Sequence, residues 1–334
     1  MTLLLDATLT ALVRHYASPD VEEVAVNRPG EAWVKRAGGG WEARADDALS
    51  ESYLLSVCRQ LANVSGQLFH PERMPLLYAT LPQGHRFTAV VGPGVRYDIG
   101  DQRGVAVTIR LFNPERRVSF EGYGLSAEGR LAEAAASPGH RRYRLSPLED
   151  LLEAIAQREA ILVSGATASG KTTFLNAMIR HLPTDLRLLT VEDAREVVVP
   201  HANRVHLVVS RTESGGGVDF MRVVDAVVRM TPDVIVCGEI GIGNATGVFR
   251  LMTTGHTNFM ATIHAGSPAG ALRAFYQNLA QANPGLDARA AVEIIASSFG
   301  RIVQIDRLGG RRVVTAIDIP DLARASLVSA SGHE

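Results

Sequence analysis

Lysine is almost missing from this chain: of its 34 basic residues only Lys35 and Lys171 are lysines, and the rest are arginines. Cysteine is just as scarce. Cys58 and Cys237 stand far apart, which excludes a disulfide-stapled scaffold and cysteine-rich zinc modules and suits a reducing compartment. Net charge is only −1 at pH 7, so no broad positive field neutralises phosphates, and no direct sequence-specific nucleic-acid binding is expected. A membrane-spanning run is also lacking. The longest stretch without Asp, Glu, Lys or Arg, residues 251–272, carries His256, Asn258, His264 and Pro268 among several Gly and Thr, which hydrocarbon would not solvate. Residues 1–6 have neither the basic start nor the apolar length of a secretion signal, so a cytoplasmic protein is expected.

What remains is ordinary globular material. The chain has 334 residues, 46% of them hydrophobic and 21% charged, enough for two cores and hence two domains. Residues 21–34 read as two strands around Asn-Arg-Pro-Gly, and residues 49–65 as an amphipathic helix with Ser50 as N-cap. Three strand-like runs follow, LLYATLP, HRFTAVVGP and GVAVTIRLF. Residues 1–112 therefore predict a small α+β domain. Residues 113–147 lose periodicity and gather Arg116, Arg117, Arg130, Arg141, Arg142 and Arg144, which predicts a basic linker with a short helix near residues 127–136. Residues 148–334 alternate strand and helix patterns and close with a two-Gly hairpin, which predicts an α/β domain with a mainly parallel sheet.

Residues 165–172, GATASGKT, match G-x-x-x-x-G-K-[ST] between a predicted strand and a predicted helix. The glycines let the backbone wrap so that N–H groups of Gly165, Ala166, Thr167, Ala168, Ser169 and Gly170 can line a phosphate cradle. The helix that opens at Lys171 points its positive end at the same anion. Lys171 is placed to reach the β- and γ-phosphates, Thr172 to offer its hydroxyl to Mg²⁺, and Thr173 to add a phosphate contact. One of the two lysines thus stands where a compact ammonium is wanted. The expected ligands are ATP and Mg²⁺.

Hydrolysis also needs an acid to orient water. Glu239 follows the apolar run VIVCG, so a buried strand delivers it to the carboxyl edge of the sheet, where open α/β sheets put their ligand groups. It is the candidate catalytic acid and, with Thr172, the candidate metal ligand. Glu192 and Asp193 end LRLLTV in the same way; Glu192 is expected to assist the metal or the water, whereas Asp193 also suits an N-cap. His256 and His264, eight residues apart, match no metal spacing.

These segments in this order resemble the secretion and conjugation traffic ATPases of the type II/type IV secretion superfamily, closest to the hexameric ATPase of type IV secretion and DNA-transfer systems. GATASGKTT is similar to that family's Walker A and residues 190–196, TVEDARE, to its acidic "Asp box". Residues 229–240, RMTPDVIVCGEI, are similar to its Walker B segment, and residues 254–267, TGHTNFMATIHAGS, to its "His box". EVAVNRPGEAWV and the LPQGHRF…VAVTIR pair resemble its amino-terminal domain. The resemblance implies a RecA-like motor domain, a mobile amino-terminal domain and a homo-hexamer. It also implies a γ-phosphate-sensing His264, and nucleotide contacts from Arg86 and Arg110. It further implies nucleotide-driven domain closure that powers export or pilus assembly at the inner face of the bacterial inner membrane. The expected partners are inner-membrane secretion components, with exported protein or DNA handled indirectly.

The chain departs from that family's usual pattern at several places. Gly241 stands where Arg is common, Asn244 where Glu is common, and Asp225 where an Arg often lies one turn before Arg229, to which its charge is expected to pair. Thr231 and Val234 occupy frequently basic positions, and Asn258 a usual Gly. These differences bear on turnover and ring contacts, and they keep a second function open: a nucleotide-gated assembly platform with little hydrolysis. A nucleic-acid helicase or packaging motor is disfavoured by the neutral charge.

Overall fold

A computed structural model describes residues 2–37, 39–92, 95, 97, 103–113, 118–126, 146–209, 220–254 and 258–320. Two compact units result: described residues up to 113 form the first and those from 118 onward the second. The expected helix at 127–136, the GGG turn at 215–217, His256 and the chain end beyond 320 lie outside the described residues. Among the described residues no helix is long and apolar enough to cross a membrane.

In the first unit, α1 (Thr2–Tyr16) precedes β1 (Val21–Val26), β2 (Glu31–Arg36) and β3 (Trp41–Ala45), followed by α2 (Glu51–Ser65), β4 (Leu76–Thr80), β5 (Arg86–Gly92) and β6 (Gly104–Arg110). The strands form one antiparallel sheet in the order β3-β2-β1-β6-β5-β4. Ser50 caps α2 by accepting from the Tyr53 N–H, and Gly66, in the left-handed region, ends it. Leu54, Val57, Cys58 and Leu61 bury its apolar stripe with the inner face of the sheet. Two elements went unread in the sequence. In α1, Leu5, Leu9, Leu12 and Tyr16 recur at helical spacing and join the same core, but no Ser, Thr, Asp or Asn precedes the helix to mark its start. In β3, WEARA has little strand character and all but one residue exposed; its pairing with β2 makes it a strand.

The second unit opens with a 3₁₀ turn (Phe120–Tyr123) and α3 (Pro147–Ala156). Then follow β7 (Ile161–Gly165), α4 (Lys171–Ile179), β8 (Leu188–Glu192), β9 (Arg204–Val208), α5 (Phe220–Arg229), β10 (Val234–Ile240) and α6 (Ala245–Thr253). The chain continues through β11 (Phe259–His264), α7 (Pro268–Ala282), α8 (Ala288–Ser298) and the hairpin β12 (Arg301–Leu308) and β13 (Arg311–Asp318). The sheet order is β13-β12-β7-β11-β10-β8-β9, parallel throughout except for β13. Two cores sit on its two faces, which explains the unbroken apolar strands. Leu162, Ile235 and Cys237 face one core while Ile161, Val163, Val234 and Val236 face the other.

Within the stretch read as a basic linker, residues 118–126 fold onto this unit. Phe120, Tyr123 and Leu125 are buried, with the Tyr123 ring edge-on to Phe174 at 5.0 Å. The aromatics, set among Gly and Arg, are what the loss of periodicity concealed. A charge cluster locks α3 to β12: Arg301 takes Asp150 in a bidentate pair at 2.9 Å and Glu159 at 2.8 Å. Leu162 is fully buried in β7, the strand that leads into the phosphate loop. Leu162→Ala is expected to cost about 2–5 kcal/mol, read as a lower urea midpoint in far-UV circular dichroism.

Candidate functional site

Everything in the second unit's site starts from the end of β7, whose five residues are all buried. The chain then turns sharply, with Ala168 at φ 60° and Gly170 at φ 95°. Gly170 admits no side chain: a Cβ there would meet Arg312 Cδ at 2.8 Å and the Tyr123 hydroxyl at 2.9 Å. Tyr123 donates to the Gly170 carbonyl at 2.8 Å. No side chain caps α4, so its first N–H groups and its dipole are left to an anion. Thr172 and Thr173 sit in that first turn, both half-buried.

Lys171 is almost wholly buried. Its Nζ donates to the Gly165 carbonyl at 3.0 Å and the Ala166 carbonyl at 3.1 Å, and lies 3.1 Å from His264 Nδ1. An ammonium can only donate, so Nδ1 accepts and the imidazole proton belongs on Nε2. Nε2 stands 3.2 Å from Glu239 Oε2. Lysine, histidine and glutamate thus form one chain, from three separate sequence segments. Strand order makes it possible: β11, which ends in His264, lies between β7 and β10.

Glu239 reaches this place through a local irregularity. The β10–β11 register shifts between Cys237 and Ile240, and Thr262 Oγ1 donates to the Gly238 carbonyl at 2.6 Å. Beyond it, Asn244 donates from Nδ2 to the Glu239 carbonyl at 2.7 Å and accepts from the Gly241 N–H at 2.8 Å. A glutamate at 244 could not donate, so the amide is the residue that closes this turn. Gly241 has open space around it and a φ outside the left-handed region, so nothing local demands glycine there. Asp225 is a correction. Its carboxylate pairs with Arg250 at 3.0 Å, while Arg229 donates to the Asp225 backbone carbonyl at 2.8 Å. A turn of α5 brings Asp225 toward α6, a neighbour that helical spacing alone does not reveal.

Glu192, expected to assist the metal or the water, is hydrogen-bonded within its own strand and the loop that follows. Oε2 accepts from the N–H groups of Glu196 at 2.7 Å and Val197 at 2.6 Å. Oε1 accepts from Thr190 Oγ1 at 2.7 Å and Arg195 at 2.8 Å. Burial alone pushes the carboxyl up, but hydrogen bonding involving His206, Val197 and Thr190, with the Arg195 charge, outweighs it and holds Glu192 below the ordinary 4.5. Both oxygens are engaged, and they tie Glu192 to Thr190 and to residues 195–197. Asp193, next in the chain, is half-buried.

A second polar chain backs the loop from β12 and was not read from sequence. Gln304, buried, accepts from Ser164 Oγ and donates to Asp306 Oδ1 at 2.9 Å and the Ala265 carbonyl at 3.4 Å. A glutamine within an apolar strand run was the only signal. Arg86 and Arg110 lie in the first unit, opposite one another on β5 and β6, with Glu23 opposite Arg110 on β1. Among the described residues no group of three His, Cys, Asp or Glu could hold a metal. Thr172 and Glu239 are hard oxygen donors of the kind that share magnesium with a substrate's phosphates, so the residues fit that ion without a protein cage.

Because the folded Glu192 value is lowered, the folded chain binds fewer protons than the unfolded chain as pH drops. Its contribution to stability is full above the ordinary carboxylate range and is lost as pH falls through the folded value. Glu192→Gln is expected to set an amide NH₂ against either the Arg195 guanidinium or the Glu196 and Val197 N–H groups, a cost of roughly 1–3 kcal/mol at neutral pH. Denaturant melts at pH 7 and pH 4 should show that cost shrinking in acid.

Over residues 6–304 the chain matches the family described as Type II/IV secretion system protein. The type IV secretion system protein PtlH homolog of Bordetella bronchiseptica is 33% identical over 282 residues, 80% of this chain and 79% of that one. Protein VirB11 of Agrobacterium fabrum is 31% identical, with 85% and 84% covered. The solved structure of the pilus retraction motor PilT with bound ADP covers 98% of this chain and 86% of its own, with TM-score 0.59 and 19% identity, a likeness in fold. With the phosphate loop, the parallel sheet and the acids at its carboxyl edge in place, the chain belongs to the Type II/IV secretion system protein family and carries a RecA-like ATPase fold.

Proposed function

We propose that this chain is a traffic ATPase of a type IV secretion system, which hydrolyses ATP with Mg²⁺ and couples the reaction to export or pilus assembly. One observation carries the reading. The phosphate-loop lysine and the strand-end glutamate share a single imidazole, 3.1 Å from Nζ on one side and 3.2 Å from the carboxylate on the other. In this reading Lys171 gives up the Gly165 and Ala166 carbonyls for the β- and γ-phosphates. His264 senses the γ-phosphate through that exchange, and Glu239 orients or deprotonates the attacking water. Thr172 and Glu239 would hold magnesium, which when bound would supply positive charge against the charge developing on the phosphoryl oxygens. Glu192 acts as a positioning residue through the 193–197 loop.

The names of relatives as type IV secretion system proteins support assignment to that machine; we propose a place for the chain at the inner face of the bacterial inner membrane, alongside membrane components of the machine. We propose further that six copies assemble in a ring. Closure of the first unit, with Arg86 and Arg110, over nucleotide converts hydrolysis into motion, and exported DNA or protein is handled indirectly.

Lys171→Ala is expected to abolish ATP binding by calorimetry. Glu239→Gln should keep ATP affinity within a few-fold while steady-state phosphate release falls about 10²–10³-fold. A release rate indifferent to Glu239→Gln would leave the nucleotide-gated platform as the function. Light scattering with and without MgATP should give the mass of six chains in at least one condition; a monomer in both defeats the ring.

A further inference from the structure

The strand order sets a direction along the phosphate loop. His264 and Glu239 stand on β11 and β10, to one side of β7, while β12 borders β7 on the other, with β13 beyond it. A triphosphate whose γ end faces His264 and Glu239 therefore presents its α-phosphate and nucleoside toward the β12–β13 hairpin. On that side, Arg312 of β13 lies against the loop: its Cδ and Nε are 2.8 and 3.3 Å from where a Gly170 Cβ would be. The Tyr123 hydroxyl fills the neighbouring space and holds the Gly170 carbonyl at 2.8 Å.

The hairpin's own register adds a second observation. Arg307 stands directly opposite Arg312 across the Gly309–Gly310 turn. Two guanidinium stems set opposite one another on an antiparallel pair place positive charge on one side of the hairpin. Both guanidinium stems stand on the same face of the hairpin, the face that Arg312 turns to the loop.

We propose that Arg312 is a nucleotide-binding residue that contacts the α-phosphate from the nucleoside side of the loop, with Arg307 raising the positive potential there. The proposal rests on the nucleotide reading given above. It assigns Arg312 a planar, two-pronged grip on an oxygen pair shared by ATP and ADP, distinct from the point charge that Lys171 brings to the β- and γ-phosphates.

The test is calorimetric titration of the full chain with ATP and with ADP, each in Mg²⁺. Arg312→Met keeps the aliphatic stem against Gly170 and removes only the charge. Its affinity should fall about tenfold, equally for ATP and ADP, with the thermal melting point of the unliganded chain unchanged. Arg312→Lys should recover part of the loss. Unchanged affinities in Arg312→Met, or a loss confined to ATP, overturn the proposal, the latter because it marks a γ-phosphate contact. Binding that Lys171→Ala destroys and Arg312→Met spares removes this inference and leaves the ATPase reading standing; wild-type chain that binds neither nucleotide removes both.

Discussion

A five-membered ring with two nitrogens holds this molecule's chemistry together. His264 can serve Lys171 and Glu239 at once because its strand runs between theirs, so its nitrogens face opposite ways along the sheet edge. Remove that adjacency and a lysine, a histidine and a glutamate from three distant segments have no reason to meet. The parallel sheet supplies it: β7, β11 and β10 end side by side, and the loop after β7 with its Lys171, His264 and Glu239 come together at that edge.

Much of the surrounding polar structure spends its hydrogen bonds on keeping that edge in shape. Glu192 is a buried carboxylate whose desolvation is outweighed by donors from its own loop, so a charge that would otherwise be costly becomes an anchor. Asn244 works on a smaller scale, with one amide that both donates and accepts across the turn after Glu239. Gln304 joins the strand before the phosphate loop to the residue after His264. Low local dielectric strengthens each such bond and penalises each vacancy, which is why all three are multiply satisfied.

The phosphate loop, the helix behind it and most strands of the second unit were legible because their signals are local: an apolar run, a glycine turn, a capping residue. Ser50 is a case where one neighbouring residue marks an element's start. The Phe120–Tyr123 turn escaped notice because its aromatics declare themselves only when a partner such as Phe174 is across from them. β3 is a strand by virtue of β2. Asp225 was paired with the wrong arginine because helical spacing counts only residues on one helix, and α6 was nearer.

Residue order alone determined that this chain folds around a buried parallel sheet and presents a phosphate-binding turn with a lysine in it, since backbone geometry and hydrophobic alternation are properties of consecutive residues. Which carboxylate faces that lysine was decided by tertiary structure. Glu192 and Glu239 both follow apolar runs, and residue order gave them unequal parts, catalytic acid for Glu239 and an assisting one for Glu192, without showing where either side chain points. The one on β10 shares an imidazole with Lys171, and the one on β8 is drawn inward by the N–H groups of its own loop, because hydrogen-bond donors nearby in space settle where a carboxylate points.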